Sequence, residues 1–297
     1  MKDLYSEIST RIIEQLEQGI IPWKKPWSGV SSGAISHATG RPYSLLNQMI
    51  LEQPGEYITW SQCKQEGGSV KKGSKAKIIV FWKVQPREKK DAAGNIVTDP
   101  DGKPVVEGLP VLRYFQVFHV DDCEGIKPKY NKLPAVAADP NEAAETALLD
   151  YVRRENIWFE SLIDDRAYYS PSRDLIHIPI REQFSNTAEY YSTAFHEATH
   201  STGHPTRLNR FERGAAAAAF GSESYSKEEL VAEMGAACIL HELGIETPSS
   251  FKNSAAYIQS WLRALKDDKR LIISAAARAE KAVKMILNIN EKQEQGE

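Results

Sequence analysis

The sequence predicts an α+β protein of two domains: an α+β amino-terminal domain over residues 1–135 and a mainly α carboxy-terminal domain with a small sheet over 136–297. Three observations predict it. The chain has 297 residues, room for two domains of about 150. Its formal net charge of -3 hides an asymmetry, because residues 1–135 carry 19 basic and 15 acidic side chains and the rest of the chain is strongly acidic. The stretch KPKYNKLPAVAADPNEAAE (127–145) has three prolines and few large apolar residues, which is linker composition.

In the first half, Leu4, Ile8, Ile12, Ile13 and Leu16 recur at spacings of three and four, which predicts an amphipathic helix over 4–18 that Gly19 stops. Tyr43, Leu46, Asn47 and Ile50 predict a short second helix. The β-branched and aromatic runs 56–60, 77–84 and 111–120 predict strands. Between the last two, polar residues 87–108 with turn signals at Gly94-Asn95 and Asp101-Gly102 predict a long exposed excursion. The second half is expected to hold a helix over about 141–155, a hairpin of 166–170 with 175–180 turning at Pro171 to Asp174, and helices from there to the end.

Cys63, Cys123 and Cys238 are far apart with no CxxC pair, which argues against a disulfide framework or a thiolate zinc site. No apolar run reaches the ~18 residues of a spanning helix. A cytoplasmic protein without membrane contact is expected.

The strongest motif is His196-Glu197-Ala198-Thr199-His200. On a helix, positions 196 and 200 lie one turn apart on one face, so both imidazoles can reach one cation. Glu197 stands beside them as the general base that takes a proton from water on that cation. Asn186 followed by Glu189 is an N-cap signal, Tyr191, Phe195 and Ala198 form an apolar stripe, and Gly203 before Pro205 is a stop, so the motif is placed on a helix over 186–202.

A catalytic zinc needs a third protein ligand. The HExxHxxGxxH pattern is broken, since Thr206 stands where its last histidine belongs and His204 is off spacing. A second helix over 225–244 offers Glu228, Glu229 and Glu233 instead. Glu229 is favoured as ligand on spacing, with Glu233 orienting an imidazole from behind, while Glu228 and Glu233 stay open as ligands. A competing reading makes Ser226 and Glu229 a capping box, which would occupy that carboxylate. The alanine-rich run 214–221 joins the two helices. Tyr168, Tyr169 and His177 in the hairpin are read as packing residues at least as readily as substrate contacts.

Nine basic residues between Lys64 and Lys90 face only Glu66 and Glu88, with Trp60, Phe81 and Trp82 among them and Trp23 and Trp27 around Lys24 and Lys25. Cations that follow a phosphate chain plus aromatic faces for bases are the chemistry of single-strand binding. Lys24, Lys25, Trp27, Lys71, Lys72, Lys75, Lys77 and Trp82 are the candidate DNA-binding residues.

The motifs GIIPWKKPW, RPYSLLNQMIL, KKGSKAKIIVFWK and YFQVFHVDDCEG in the first half resemble the single-stranded DNA-binding domain of ArdC-type plasmid antirestriction proteins, a domain also found in plasmid primases. In the second half, YYSPSRDLIHIP, FHEATHSTGHPTRLNR and YSKEELVAEMGAA resemble the zincin-like metallopeptidase domain of the same family. The resemblance covers essentially the whole chain; the run 215–219 departs from it. It implies protection of incoming plasmid DNA from host restriction during conjugation. It also implies a gluzincin-like site with ligands at His196, His200 and a glutamate of the EELVAE segment, holding zinc, with manganese or another divalent metal compatible.

Three functions are consistent with these features. One is a metallopeptidase that cuts a DNA-associated protein. Another is a strand-shielding protein whose metal site is structural or vestigial. The third, an accessory to primer synthesis, finds no polymerase carboxylates in the chain. An intact Glu197 favours the peptidase, since a structural site has no need of a general base. Oligomeric state leaves no mark on the sequence.

Overall fold

The computed structural model describes residues 3–18, 20–24, 33–91, 94–130, 140–211, 223–245 and 254–289. The chain forms two compact units, one of Met1–Glu56 with Pro128–Glu297 and one of Tyr57–Lys127.

The first unit opens with α1 (Leu4–Glu17), capped by Asp3, whose side chain accepts from the Ser6 amide; Leu4, Ile8, Ile12 and Leu16 form its buried stripe. After β1 (Ala34–Ser36) comes α2 (Leu45–Leu51), and then the start of β2 (Gly55–Thr59). The compositional boundary near residue 135 divides the chain differently, for a physical reason. The apolar stripe of α1 must be covered, and α7 (Ser254–Asp267) lies against it; likewise α2 packs on α8 (Leu271–Ile286). Ser9 Oγ donates to the Lys269 carbonyl at 2.6 Å and the Leu45 amide to Glu280 Oε2 at 3.0 Å.

In the second unit, α3 (Trp60–Gln65) begins where a strand was expected to end, because Thr59 and Gln62 form a capping box. A small ladder pairs β3 (Ser69–Val70) with β6 (Cys123–Glu124), and β2 pairs with β5 (Val106–His119), which pairs with β4 (Lys77–Glu88). Ile58, Cys63, Val120 and Cys123 are its buried core. The expected excursion 87–108 is shorter than its polarity suggested, since β4 and β5 stay paired out to Glu88 and Val106. Beyond them, bridges Lys90↔Ile96 and Thr98↔Pro104 continue the pairing, and the turns fall at Gly94 and Gly102, both at positive φ. Cys63, Cys123 and Cys238 are buried, and none is in a disulfide.

The chain re-enters the first unit with α4 (Pro140–Arg154), followed by β7 (Trp158–Leu162), β8 (Tyr168–Ser170) and β9 (Leu175–Pro179) in a sheet of order β7-β9-β8. The hairpin β8–β9 is the expected one; β7, parallel to β9, has no counterpart among the expected elements. Then come α5 (Thr187–Ser201) and α6 (Glu223–Glu242), packed on each other, with α8 against both. The protein is thus α+β, with the mainly helical part and its small sheet in the carboxy-terminal half. Among the described residues no helix is long and apolar enough to cross a membrane.

Candidate functional site

Helix α5 begins where the N-cap signal placed it. The Asn186 side chain accepts from the Glu189 amide at 2.9 Å, and the helix runs to Ser201 with Tyr191, Ala194, Phe195 and Ala198 buried. His196 and His200 consequently project from one face, their rings 4.7 Å apart and their Nε2 atoms 3.1 Å apart. Helix α6 begins at Glu223, so Ser226 lies inside it and the capping-box reading of Glu229 fails. The Glu229 carboxylate is directed at the histidines, with Oε1 3.3 Å from His200 Nε2 and Oε2 3.5 Å from His196 Nε2.

These three residues are the one cluster among the described residues able to offer three ligand atoms to a single ion. A tetrahedral ion with bonds of about 2.05 Å sets its ligand atoms about 3.3 Å apart, close to the 3.1 Å between the two Nε2 atoms and the 3.3 Å from His200 Nε2 to Glu229 Oε1, while the other carboxylate oxygen faces His196. The other two glutamates stand behind the imidazoles, Glu228 Oε1 3.6 Å from His200 Nδ1 and Glu233 Oε1 3.8 Å from His196 Nδ1. Glu197 is buried on α5 beside them.

The electrostatics favour a cation. Burial pushes the His200 imidazole down, but Glu228 and Glu229 outweigh it and hold its pKa at about 10. His196 is likewise raised, since its bond to Glu229 overcomes the burial. Burial pushes the Glu229 carboxyl up, yet the two imidazoles hold it far below the usual carboxylate range. Four carboxylates therefore surround two imidazoles, a negative charge that a bound divalent ion would offset.

Sequence reasoning misses Arg210. Its side chain, 5% exposed, binds both Glu228 oxygens at 2.6 and 3.3 Å, the Thr199 carbonyl at 2.8 Å and Thr202 Oγ1 at 2.5 Å. Only its place just beyond the motif helix hints at this. Arg207 ties the other side of the helix end to the hairpin, through Ser201 O at 2.8 Å, Asp174 at 2.5 and 3.0 Å and the Tyr169 hydroxyl at 3.0 Å. Tyr168 stacks on buried His177, whose Nδ1 is 2.9 Å from Glu160, and His204 Nδ1 turns to Thr206 Oγ1 at 2.7 Å. Tyr168, Tyr169 and His177 are thus engaged in packing and hydrogen bonds.

Residues 150–278 match the family model of a zincin-like metallopeptidase, and residues 2–118 that of the N-terminal domain of anti-restriction factor ArdC. The metal-free crystal structure of the antirestriction ArdC protein from plasmid R388 is similar at 33% identity and a TM-score of 0.71, over 96% of this chain and 97% of that one. The chain belongs to the ArdC antirestriction family. The Mn(II)-bound structure of the same R388 ArdC gives a TM-score of 0.70, over 97% and 98% of the two chains. DNA primase TraC of Escherichia coli is 35% identical over an alignment 305 positions long that covers 98% of this chain but 28% of TraC. The chain therefore spans little more than a quarter of the length of that curated relative.

The other candidate surface of this ArdC-family chain lies in the unit Tyr57–Lys127. Lys72 and Lys75 are exposed in the turn before β4, and Lys77 opens that strand. Lys71 is committed, with Nζ donating to the Asp121 carbonyl at 2.7 Å. Trp82 is 49% exposed, but two-residue alternation puts it on the opposite face of β4 from Lys77. Lys25 and Trp27 lie outside the described residues, as does the run 214–221; of Lys24 only the backbone, in a 3-10 turn, is described. Trp23 offers no stacking face, because it is buried in the first unit against Trp261 at 5.4 Å.

Proposed function

We propose that this chain is an antirestriction protein that binds single-stranded DNA through a module within residues 1–135. A gluzincin-like peptidase site within 136–297 cleaves a DNA-associated protein, so that plasmid DNA entering the cytoplasm during conjugation escapes host restriction. The convergence of His196, His200 and Glu229, whose ligand atoms lie close enough to share one ion, is the observation that carries the catalytic part. These three hold the ion, zinc or another divalent metal such as manganese. When bound, it supplies a Lewis acid that polarises a carbonyl and makes a water acidic. Glu197 accepts the proton of the attacking water and returns it to the amide nitrogen that leaves. Glu233 and Glu228 fix the two imidazole orientations from behind.

Glu197→Gln tests the reading, because the amide matches the carboxylate in shape but accepts no proton. The variant should keep one metal per chain, which His196→Ala, His200→Ala and Glu229→Ala should lose. In a restriction-protection assay, loss of protection by Glu197→Gln supports proteolysis. Full protection by that variant, with loss on removing the cations Lys83 and Arg113 of the β4–β5 ribbon, instead makes the protein a shield of the strand.

A further inference from the structure

The pairing of β4 with β5 sorts their side chains onto two faces. Phe81 is opposite Arg113 and Ile79 opposite Phe115, so Lys77, Ile79, Phe81, Lys83 and Arg87 share one face with Phe115 and Arg113. On that face the Phe81 and Phe115 rings stack at 5.0 Å and 12°, leaving Phe81 36% and Phe115 53% exposed. Arg113 and Lys83 flank the pair, exposed and with no carboxylate partner among the described residues. The single acid on the face, Glu107, sits farther out, opposite Arg87.

The reverse face is chemically different. It carries Trp82, Val84 and Tyr114, and neither strand contributes a lysine or arginine to it. An aromatic ring stacks a base wherever it is exposed, but a polyanion is held only where cations replace its counterions.

We propose that single-stranded DNA crosses the ribbon on the Phe81–Phe115 face, bases against the paired rings and phosphates against Lys83 and Arg113, and does not use the Trp82 face. This rests on the single-strand reading above and names the surface that performs it.

The test uses the full chain and a fluorescein-labelled oligothymidylate. Phe115→Leu and Phe81→Leu keep apolar strand residues while removing a ring, and each should weaken binding about tenfold. Replacing both Lys83 and Arg113 by Ala should reduce the slope of log affinity against log salt by about 1.4, or about 0.7 for each phosphate no longer neutralised. Trp82→Ala should bind within about twofold of the parent. Weak binding by Trp82→Ala with parental binding by Phe115→Leu and the cation variant overturns the choice of face while leaving the single-strand reading intact. Absence of binding by the unmodified chain overturns that reading, and this inference with it. Thermal melting of each variant separates a weakened binding surface from an unfolded chain.

Discussion

Gly235 of α6 meets Thr199 of α5 so closely that a Cβ at Gly235 would lie 2.6 Å from Thr199 Cγ2 and 2.7 Å from its Oγ1. The two helices that supply all three residues of the candidate metal cluster therefore cross with no side chain of α6 between them at this point. Gly235 is two residues beyond Glu233, and Thr199 immediately precedes His200.

Gly235→Ala should accordingly push the helices apart at the site without touching a ligand. Overpacking of this kind costs about 1–3 kcal/mol. We expect a lower melting temperature and weaker metal binding by titration. Thr199→Ala in the same chain removes the obstructing atoms and should restore part of both losses. Wild-type metal affinity in Gly235→Ala alone would show that the separation of the helices does not set the site.

Arg210→Met leaves the Glu228 carboxylate, only 18% exposed, without its cation. Breaking one side of a buried pair costs about 3 kcal/mol. With its holder gone, Glu228 should no longer fix His200, and metal affinity should fall about 10–100-fold, the usual effect of losing a ligand's hydrogen-bond partner. Adding Glu228→Gln neutralises the stranded charge and should recover stability but not metal affinity. Recovery of both would mean that Arg210 acts on stability alone.

The clustering of the candidate metal ligands is legible in the sequence because helix periodicity is local. A four-residue spacing places His196 over His200 whatever surrounds them, and the same arithmetic brings Glu229 and Glu233 to one face of α6. Arg210 is not legible, since its partner is 18 residues away across the connection between the two helices and no repeat links them. Strand β7 escapes because it is an edge whose alternation is blurred by Glu160 and Ser161, with Trp158 and Leu162 turned to solvent. Alternation in 77–84 contains the two faces of the ribbon, yet a reading by charge and aromatic content alone joins Lys77 and Trp82, odd and even positions, into one surface. The association of residues 1–56 with the carboxy-terminal helices rests on contacts more than 200 residues apart, such as Ser9 with Lys269, and no local pattern encodes it.

Glu56 is the last residue before the chain leaves the first unit, and Pro128 the first after its return. The Glu56 carboxylate joins the two crossings. It lies 2.5 Å from His37 Nδ1 and accepts the backbone amides of Lys129 at 3.0 Å and Tyr130 at 2.6 Å. Burial pushes its pKa up, but those two amides and the His37 ring outweigh burial and hold it below the ordinary value of 4.5. A carboxyl depressed on folding adds stability that is fully present above its unfolded pKa and lost as pH falls through its folded one. Glu56→Gln should therefore be less stable than the parent by about 1–3 kcal/mol at neutral pH, where the parent accepts three hydrogen bonds on an ionised group. The gap should hold down to about pH 4.5 and close progressively below it, as the parent takes up the proton that the variant never needed. Urea denaturation of both chains across that range measures it. A gap independent of pH would mean that Glu56 is not ionised in the folded protein, and that the crossings are held by neutral hydrogen bonds instead.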